Sequence, residues 1–227
     1  MLSKLHKIDY INEVVQQVQS MAFDSKRMAL NTTNGNLMSG DYQILPQFVD
    51  TPLGRFLNEL GDIGEARLLC LESGDTYTAH TDPDDRIHLA ITTNPDCYIV
   101  DLDTHQIHHV PVDGQVWNMD TSVRHTACNW GGKPRIHLNI RCKLPKFSAP
   151  GWNIKISGGS YDWKQELYDG LMSYLNQQIK LKNITGFDKI NERELNLNCD
   201  EQTLKQITGM IAKKGFVVTG NPVTQID

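Results

Sequence analysis

From about Glu65 to Leu144 the sequence breaks into short β-prone runs, with turn residues every 8 to 12 positions. Eight runs are expected as strands: 66–73, 75–81, 86–93, 97–103, 105–111, 115–119, 122–128 and 134–143. Ser73-Gly74-Asp75, Asn94-Pro95-Asp96, Asp113-Gly114 and Gly131-Gly132-Lys133-Pro134 punctuate them. Strands this short and this regular fit a jelly roll or barrel.

Two runs alternate in an informative way. In 86–91, Arg86, His88 and Ala90 share one face, and Ile87, Leu89 and Ile91 the other. In 135–141, Arg135, His137, Asn139 and Arg141 lie opposite Ile136, Leu138 and Ile140. A sheet with one face in water gives this pattern. So does a barrel whose polar face lines a mouth for a charged ligand. The neighbouring metal candidates favour the mouth for Arg86 and Arg135.

The flanks change period. Ile11, Val14, Val15, Val18 and Ala22 recur at helical spacing, with Asp9 as expected N-cap. Residues 23–45 have no clear period and read as loop. Thr51-Pro52 opens a second helix, whose apolar face is Leu53, Phe56, Leu57 and Leu60 and whose stop is Gly61. After Pro145, Lys146 to Gly159 reads as an extended linker. Trp163, Leu167, Leu171, Leu175 and Ile179 predict an amphipathic helix over 161–182. Asp200 caps a further helix over 201–214, and 194–197 and 216–218 are expected to pair as strands beside it. The expected organisation is a helical buttress (1–64), a β core (65–145) and an α+β appendage (146–227).

Composition excludes several classes. Hydrophobic residues make up 39% and charged residues 22%, which fits a soluble globular chain. A net charge of −5 gives no general attraction to nucleic acid or anionic lipid. No apolar run approaches the roughly 20 residues of a membrane span. No signal core follows the N-terminal residues, and the five cysteines form no CxxC pair. Reduced thiols and a cytoplasmic location are expected.

The chemistry centres on His80-Thr81-Asp82. Residues two apart on a strand point the same way, so His80 and Asp82 can reach one metal ion. Alone, the triplet is most simply a surface turn. His125, 45 residues on, opens a later strand, and Arg135 lies ten further on. Two histidines and a carboxylate on one face of an ion select a redox-active divalent metal, most often Fe(II), and leave positions open. An arginine placed as Arg135 is can grip the far carboxylate of a dicarboxylic 2-oxo acid whose other end chelates that ion. Taken singly, His125 is an ordinary histidine and Arg135 a solvated strand residue; the ordered set is far more specific.

The stretch 64–143 carries Glu72-Ser73-Gly74, Tyr77-Thr78-Ala79-His80-Thr81-Asp82, Arg86-Ile87-His88-Leu89, Gly114-Gln115-Val116-Trp117, Asp120-Thr121-Ser122-Val123-Arg124-His125-Thr126-Ala127-Cys128-Asn129 and Pro134-Arg135-Ile136-His137-Leu138. It resembles the Fe(II)/2-oxoglutarate-dependent oxygenases of the aspartyl/asparaginyl β-hydroxylase family, which includes bacterial proline cis-hydroxylases. The resemblance implies a double-stranded β-helix (jelly roll, cupin-like), with His80, Asp82 and His125 as metal ligands. It maps Arg135 onto the distal 2-oxoglutarate carboxylate, and Arg86 and His88 onto cosubstrate contacts near the metal. The implied reaction consumes oxygen and 2-oxoglutarate, releases succinate and carbon dioxide, and hydroxylates an unactivated C–H of an amino acid or peptidyl side chain. Animal members keep glycine where Asp82 stands. Asp82 therefore points away from their substrates and from halogenation, and toward free proline as first candidate.

Other residues are secondary. Asp84 and Asp85 read as a solvated acidic loop. His105, His108 and His109 flank a hairpin turn and are expected in solvent. Of Tyr77 and Thr78, parity with His80 and Asp82 selects Thr78 as a hydroxyl for the cosubstrate. Trp117, Asp120 and His137 are substrate-pocket candidates beside plainer core, turn and rim roles, and Cys128 is core. The 161–182 stripe packs on the barrel or, as the sharper alternative, forms a homodimer interface. Two rival classes stand beside the oxygenase: a non-catalytic metal- or ligand-binding cupin-like module, and a structural protein on the same roll.

Overall fold

The computed structural model describes residues 1–21, 26–158, 167–191 and 193–224. In chain order these form β1 (Leu2–Lys7), α1 (Ile11–Ser20), β2 (Arg27–Ala29), β3 (Asn31–Thr32), β4 (Gln43–Ile44), α2 (Pro52–Leu60), β5 (Ala66–Leu71), β6 (Arg86–Thr92), β7 (Cys97–Asp101), β8 (Gln106–His108), β9 (Gln115–Met119), β10 (His125–Asn129) and β11 (Arg135–Arg141). Then follow β12 (Gly151–Ser157), α3 (Leu167–Lys180), β13 (Ile184–Asn191), β14 (Glu194–Cys199), α4 (Glu201–Ala212) and β15 (Val217–Val223). The fold is mainly β, and its paired strands run antiparallel.

A six-stranded sheet, β1-β9-β6-β11-β5-β2, carries the alternation seen in the sequence. Its outer face presents Leu68, Leu89, Ile91, Val116, Leu138 and Ile140, which pack with Val14 and Val18 of α1 and with Leu53, Phe56 and Leu57 of α2. The inner face presents Arg86, His88, Arg135, His137 and Asn139, all buried. Of the two readings of that alternation, the solvated sheet is therefore wrong. The smaller sheet β10-β7-β8 supplies the opposing wall. Leu71, Ala90 and Met119 of the large sheet meet Ile99 and Ala127 of the small one in a second apolar cluster. Burial of a side chain of that size stabilises by about 1.5–3 kcal/mol, so both sheet faces contribute to stability.

α2 follows its local signals. Thr51 accepts from the Gly54 amide at 3.2 Å, Pro52 opens the helix, and Gly61 ends it at φ +77°. α1 does not follow them, since Tyr10 rather than Asp9 occupies its cap and makes no side-chain capping bond.

The N-terminal 64 residues are more than a helical buttress. β1 pairs with β9, and β2, within the stretch read as loop, pairs with β5. β1 is an almost wholly exposed edge strand, so no period-2 hydrophobic pattern marks it. The expected strand 75–81 is reduced to bridges at Thr76–Cys128 and His80–His125.

Lys146–Gly159 is not a linker. β12 sits inside the four-stranded sheet β13-β14-β12-β15, between the two runs expected to pair with each other. α3 and α4 pack on this sheet through Leu171, Met172, Leu175, Leu204, Ile207 and Ile211. The described part of the α3 stripe, Leu171, Leu175 and Ile179, packs into the core of this unit. Residues 161–166, including Trp163, lie outside the described residues. Asp200 caps α4 as expected, accepting from the Thr203 amide at 2.6 Å. No helix among the described residues is long and apolar enough to cross a membrane.

Candidate metal centre and its cavity

His125 opens β10, and antiparallel bonds between the His80 and His125 backbones, at 3.0 and 2.9 Å, bring the two histidines side by side. Asp82 follows in the turn before β6, its amide held by the Thr121 carbonyl at 3.0 Å. Asp82 Oδ2 lies 3.6 Å from His80 Nε2 and 4.0 Å from His125 Nε2. One ion with bonds of about 2.1 Å reaches ligand atoms up to roughly 4.2 Å apart, so the spacing fits a single divalent ion.

The imidazoles are oriented for that task. His80 Nδ1 donates to the Thr78 carbonyl at 2.7 Å, and His125 Nδ1 to the Val123 carbonyl at 2.9 Å. Each backbone acceptor fixes the tautomer and leaves the Nε2 lone pair facing the centre. Burial works against the charged form of Asp82. The Arg86 guanidinium and neighbouring His80 outweigh it and hold the carboxyl well below the usual range. His80 is raised by Asp82, whereas burial lowers His125.

A cavity of about 320 Å³ opens beside the three residues. Arg86, His88, Arg135, His137, Asn139 and Tyr77 line it. Arg135 is 3% exposed, and no carboxylate of the described residues lies within ion-pair distance of it. Burial pushes its guanidinium down to about 10, still protonated at neutral pH. Its one hydrogen bond among the described side chains is donated to His137 Nδ1 at 2.9 Å. A guanidinium only donates, so His137 carries its proton on Nε2, which is buried without a partner. Asn139 Nδ2 donates to His88 Nε2 at 3.1 Å, leaving the His88 Nδ1 proton likewise unpartnered. A buried cation and two unpaired N–H donors make a site that wants an anion.

Burial, with Arg135 nearby, pushes both His88 and His137 well below their ordinary value of 6.5. The folded protein therefore keeps them neutral where the unfolded chain takes up protons. Stability is fully present above about pH 6.5 and falls as the pH drops toward the folded pKa values. The slope is about 1.4 kcal/mol per pH unit for each histidine. Urea unfolding of metal-free protein between pH 7 and 5 is expected to show this loss, with His137→Gln roughly halving the contribution of the pair. An unchanged slope in that variant would count against a neutral buried His137.

Several expected placements need correction. Thr78 is exposed and Tyr77 takes the cavity wall, because residues 75–80 bridge β10 without forming a regular strand and parity does not carry through. Asp84 is not solvated. It is 1% exposed and bound by Arg86 and by Arg141, the latter at 2.8 Å. Arg86 lines the cavity and is engaged there by carboxylates, with Asp82 Oδ1 at 3.0 Å. Trp117 packs against the apolar cluster that holds Leu71, Ala90 and Met119, and Met119 lines the cavity in its place. Asp120 binds the Ser122 amide at 3.0 Å and Lys180 at 2.8 Å, away from the cavity lining. His105 and His109 are exposed and His108 half-buried, outside the metal cluster. Cys128 is buried, as expected.

The sequence reading missed α3 altogether as part of this site. Asn176, 2% exposed, donates to the Asp82 carbonyl at 3.3 Å and to Asp85 Oδ1 at 3.2 Å. Lys180, one turn on, bridges Asp85 and Asp120 at 2.9 and 2.8 Å. Thr81 donates to the Asp169 carbonyl at 2.6 Å. The appendage thus clamps the loop that carries Asp82. The polar i, i+4 face of α3 was visible in sequence, but its partner some 90 residues away was not.

The model of the family described as aspartyl/asparaginyl beta-hydroxylase matches residues 14–145, more than half of the chain. No curated protein matches the sequence. Among solved structures, an oxidoreductase of the 2OG-Fe(II) oxygenase family from Burkholderia pseudomallei is 11% identical with a TM-score of 0.36; the match covers 51% of this chain and 66% of that one. A prolyl-4-hydroxylase from Pseudomonas putida is 15% identical with a TM-score of 0.43, over 63% of this chain and 92% of that one.

Proposed function

The chain belongs to the aspartyl/asparaginyl β-hydroxylase family, and on that premise we propose that it is an Fe(II)- and 2-oxoglutarate-dependent dioxygenase. It hydroxylates an unactivated C–H of an amino acid or peptidyl side chain and releases succinate and carbon dioxide. The two facing antiparallel sheets are read as a double-stranded β-helix, with the divisions near residues 64 and 145 as its borders. The observation that carries the proposal is Arg135, a buried guanidinium without a carboxylate partner among the described residues, in the same cavity as His80, Asp82 and His125.

In this reading His80, Asp82 and His125 hold the iron, which supplies oxygen activation when bound. Arg135 takes the distal carboxylate of 2-oxoglutarate, and the unpartnered donors of His137 and His88 suit its oxygens. Arg86 keeps Asp82 ionised and pointed inward. Leu69, Ile99 and Met119 add apolar surface to the cavity lining, which disfavours bulk water there.

Succinate release with Fe(II) and 2-oxoglutarate, across a panel of free amino acids and peptides, tests the activity. Substrate-stimulated succinate is expected, and it should vanish in His125→Ala. If no member of the panel raises succinate and 2-oxoglutarate does not bind, the dioxygenase reading is wrong. The clamp by α3 makes a separate prediction. Asn176→Ala is expected to weaken Co(II) binding by roughly 10-fold with the fold intact by circular dichroism. Unchanged Co(II) affinity would remove α3 from the metal site.

A further inference from the structure

The wall between β2, β5 and β11 carries a cluster of cations that the iron and cosubstrate do not use. Register sets Arg27 opposite Leu69, Asn139 opposite Arg67, and Arg141 opposite Arg86. Opposed residues of an antiparallel pair share a face, and all of these line the cavity. With Lys26 and Arg135, six cationic side chains among the described residues face it against one carboxylate, Asp82. The carboxylates that partner Lys26, Arg67 and Arg141 stand outside the lining. Asp75 meets Lys26 at 2.9 Å, Glu65 meets Arg67 at 2.9 Å and Arg141 at 3.3 Å, and Asp84 meets Arg141 at 2.8 Å. Arg67 Nε is buried without an acceptor among the described residues. It is an unused donor on a charged group, two strand positions beyond the Leu69 wall.

This arrangement discriminates by charge. A free amino acid brings an ammonium, and among the described residues the cavity has no carboxylate left to meet it. Asp82 belongs to the metal centre, and Glu65 is engaged by two arginines behind the wall. An ammonium would be desolvated beside like charges, whereas a carboxylate would satisfy the open donor of Arg67 and lower the repulsion among its neighbours.

We propose that the substrate is a small carboxylate whose amine is absent or acylated, with its carboxylate bound by Arg67 and flanked by Arg27 and Arg141. The proposal rests on the dioxygenase reading, which assigns Arg135 to the cosubstrate and thereby leaves the outer cations to the substrate.

The test is calorimetric titration of Mn(II)-loaded protein saturated with 2-oxoglutarate. The probes are matched sets: N-acetyl-L-proline, L-proline and L-prolinamide, then N-acetyl-L-aspartate and L-aspartate. The N-acetyl anions are expected to bind at least about 10-fold more tightly than the free amino acids, and prolinamide not at all. Arg67→Gln should erase that preference while leaving 2-oxoglutarate affinity within about twofold. Arg27→Gln, on the edge strand, should reduce it severalfold if Arg67→Gln fails to fold. Free amino acids binding as tightly as their acetylated forms would overturn the proposal. So would an absence of binding by both N-acetyl compounds, or an undiminished preference in the variants. A wild-type protein that fails to bind 2-oxoglutarate would instead sink the dioxygenase reading; the charge ranking of the probes, measured without cosubstrate, then decides the role of the outer cations by itself.

Discussion

Arg135→Gln is expected to raise the Kd for 2-oxoglutarate at least about 30-fold, because truncating one member of a buried charge pair costs about 2–5 kcal/mol. Metal binding should be unaffected, since no triad residue touches Arg135. The same substitution has an opposite effect on the ligand-free fold. Arg135 is a cation at 3% exposure with no carboxylate beside it among the described residues, and burying an unpaired charge is unfavourable. Glutamine keeps a donor for His137 and removes the charge. Its ligand-free Tm should therefore equal or exceed that of the wild type. Calorimetric titration and a melting curve on the same samples check both halves. Retained 2-oxoglutarate affinity would overturn the assignment. A large loss of Tm would show that Arg135 serves the fold rather than an anion.

Asp84→Ala carries the largest expected effect on stability. Asp84 is 1% exposed and binds Arg86 and Arg141, and the Thr121 hydroxyl donates to its backbone carbonyl at 2.7 Å. Removing the carboxylate leaves two guanidinium groups without this shared partner, one of them buried. Breaking a buried pair from one side costs about 3–5 kcal/mol. Urea unfolding should register a loss of that size, with weakened metal binding because Arg86 also holds Asp82. Asp41→Ala is the control: that carboxylate meets Lys143 at 2.6 Å but is 95% exposed, and no measurable change is expected. Equal midpoints for the two variants would contradict the buried network.

The two corrections that matter most for chemistry share a cause. Parity selects Thr78 only on a continuous strand, and the chain at 75–80 is held by isolated bridges to β10 instead. Asp84 was read as solvated because adjacent acidic residues in a turn usually are. Arg141, 57 residues away, turns that position into a buried ion pair. In both places a local rule met a long-range partner that it does not contain.

The short strands, the polar and apolar faces of β6 and β11, the caps of α2 and α4, and the set His80, Asp82, His125 and Arg135 were legible along the chain. Those features follow from periods of two and 3.6, from turn chemistry, and from ligand spacing, all of them short-range or ordered along the chain. The tertiary structure decided the rest. It placed β1 and β2 in the main sheet, β12 in the second, Asn176 and Lys180 against the Asp82 loop, and a wall of arginines with their carboxylates behind it. Each depends on strand register and on which charge is desolvated beside which, and these are set only when segments distant in sequence pack together.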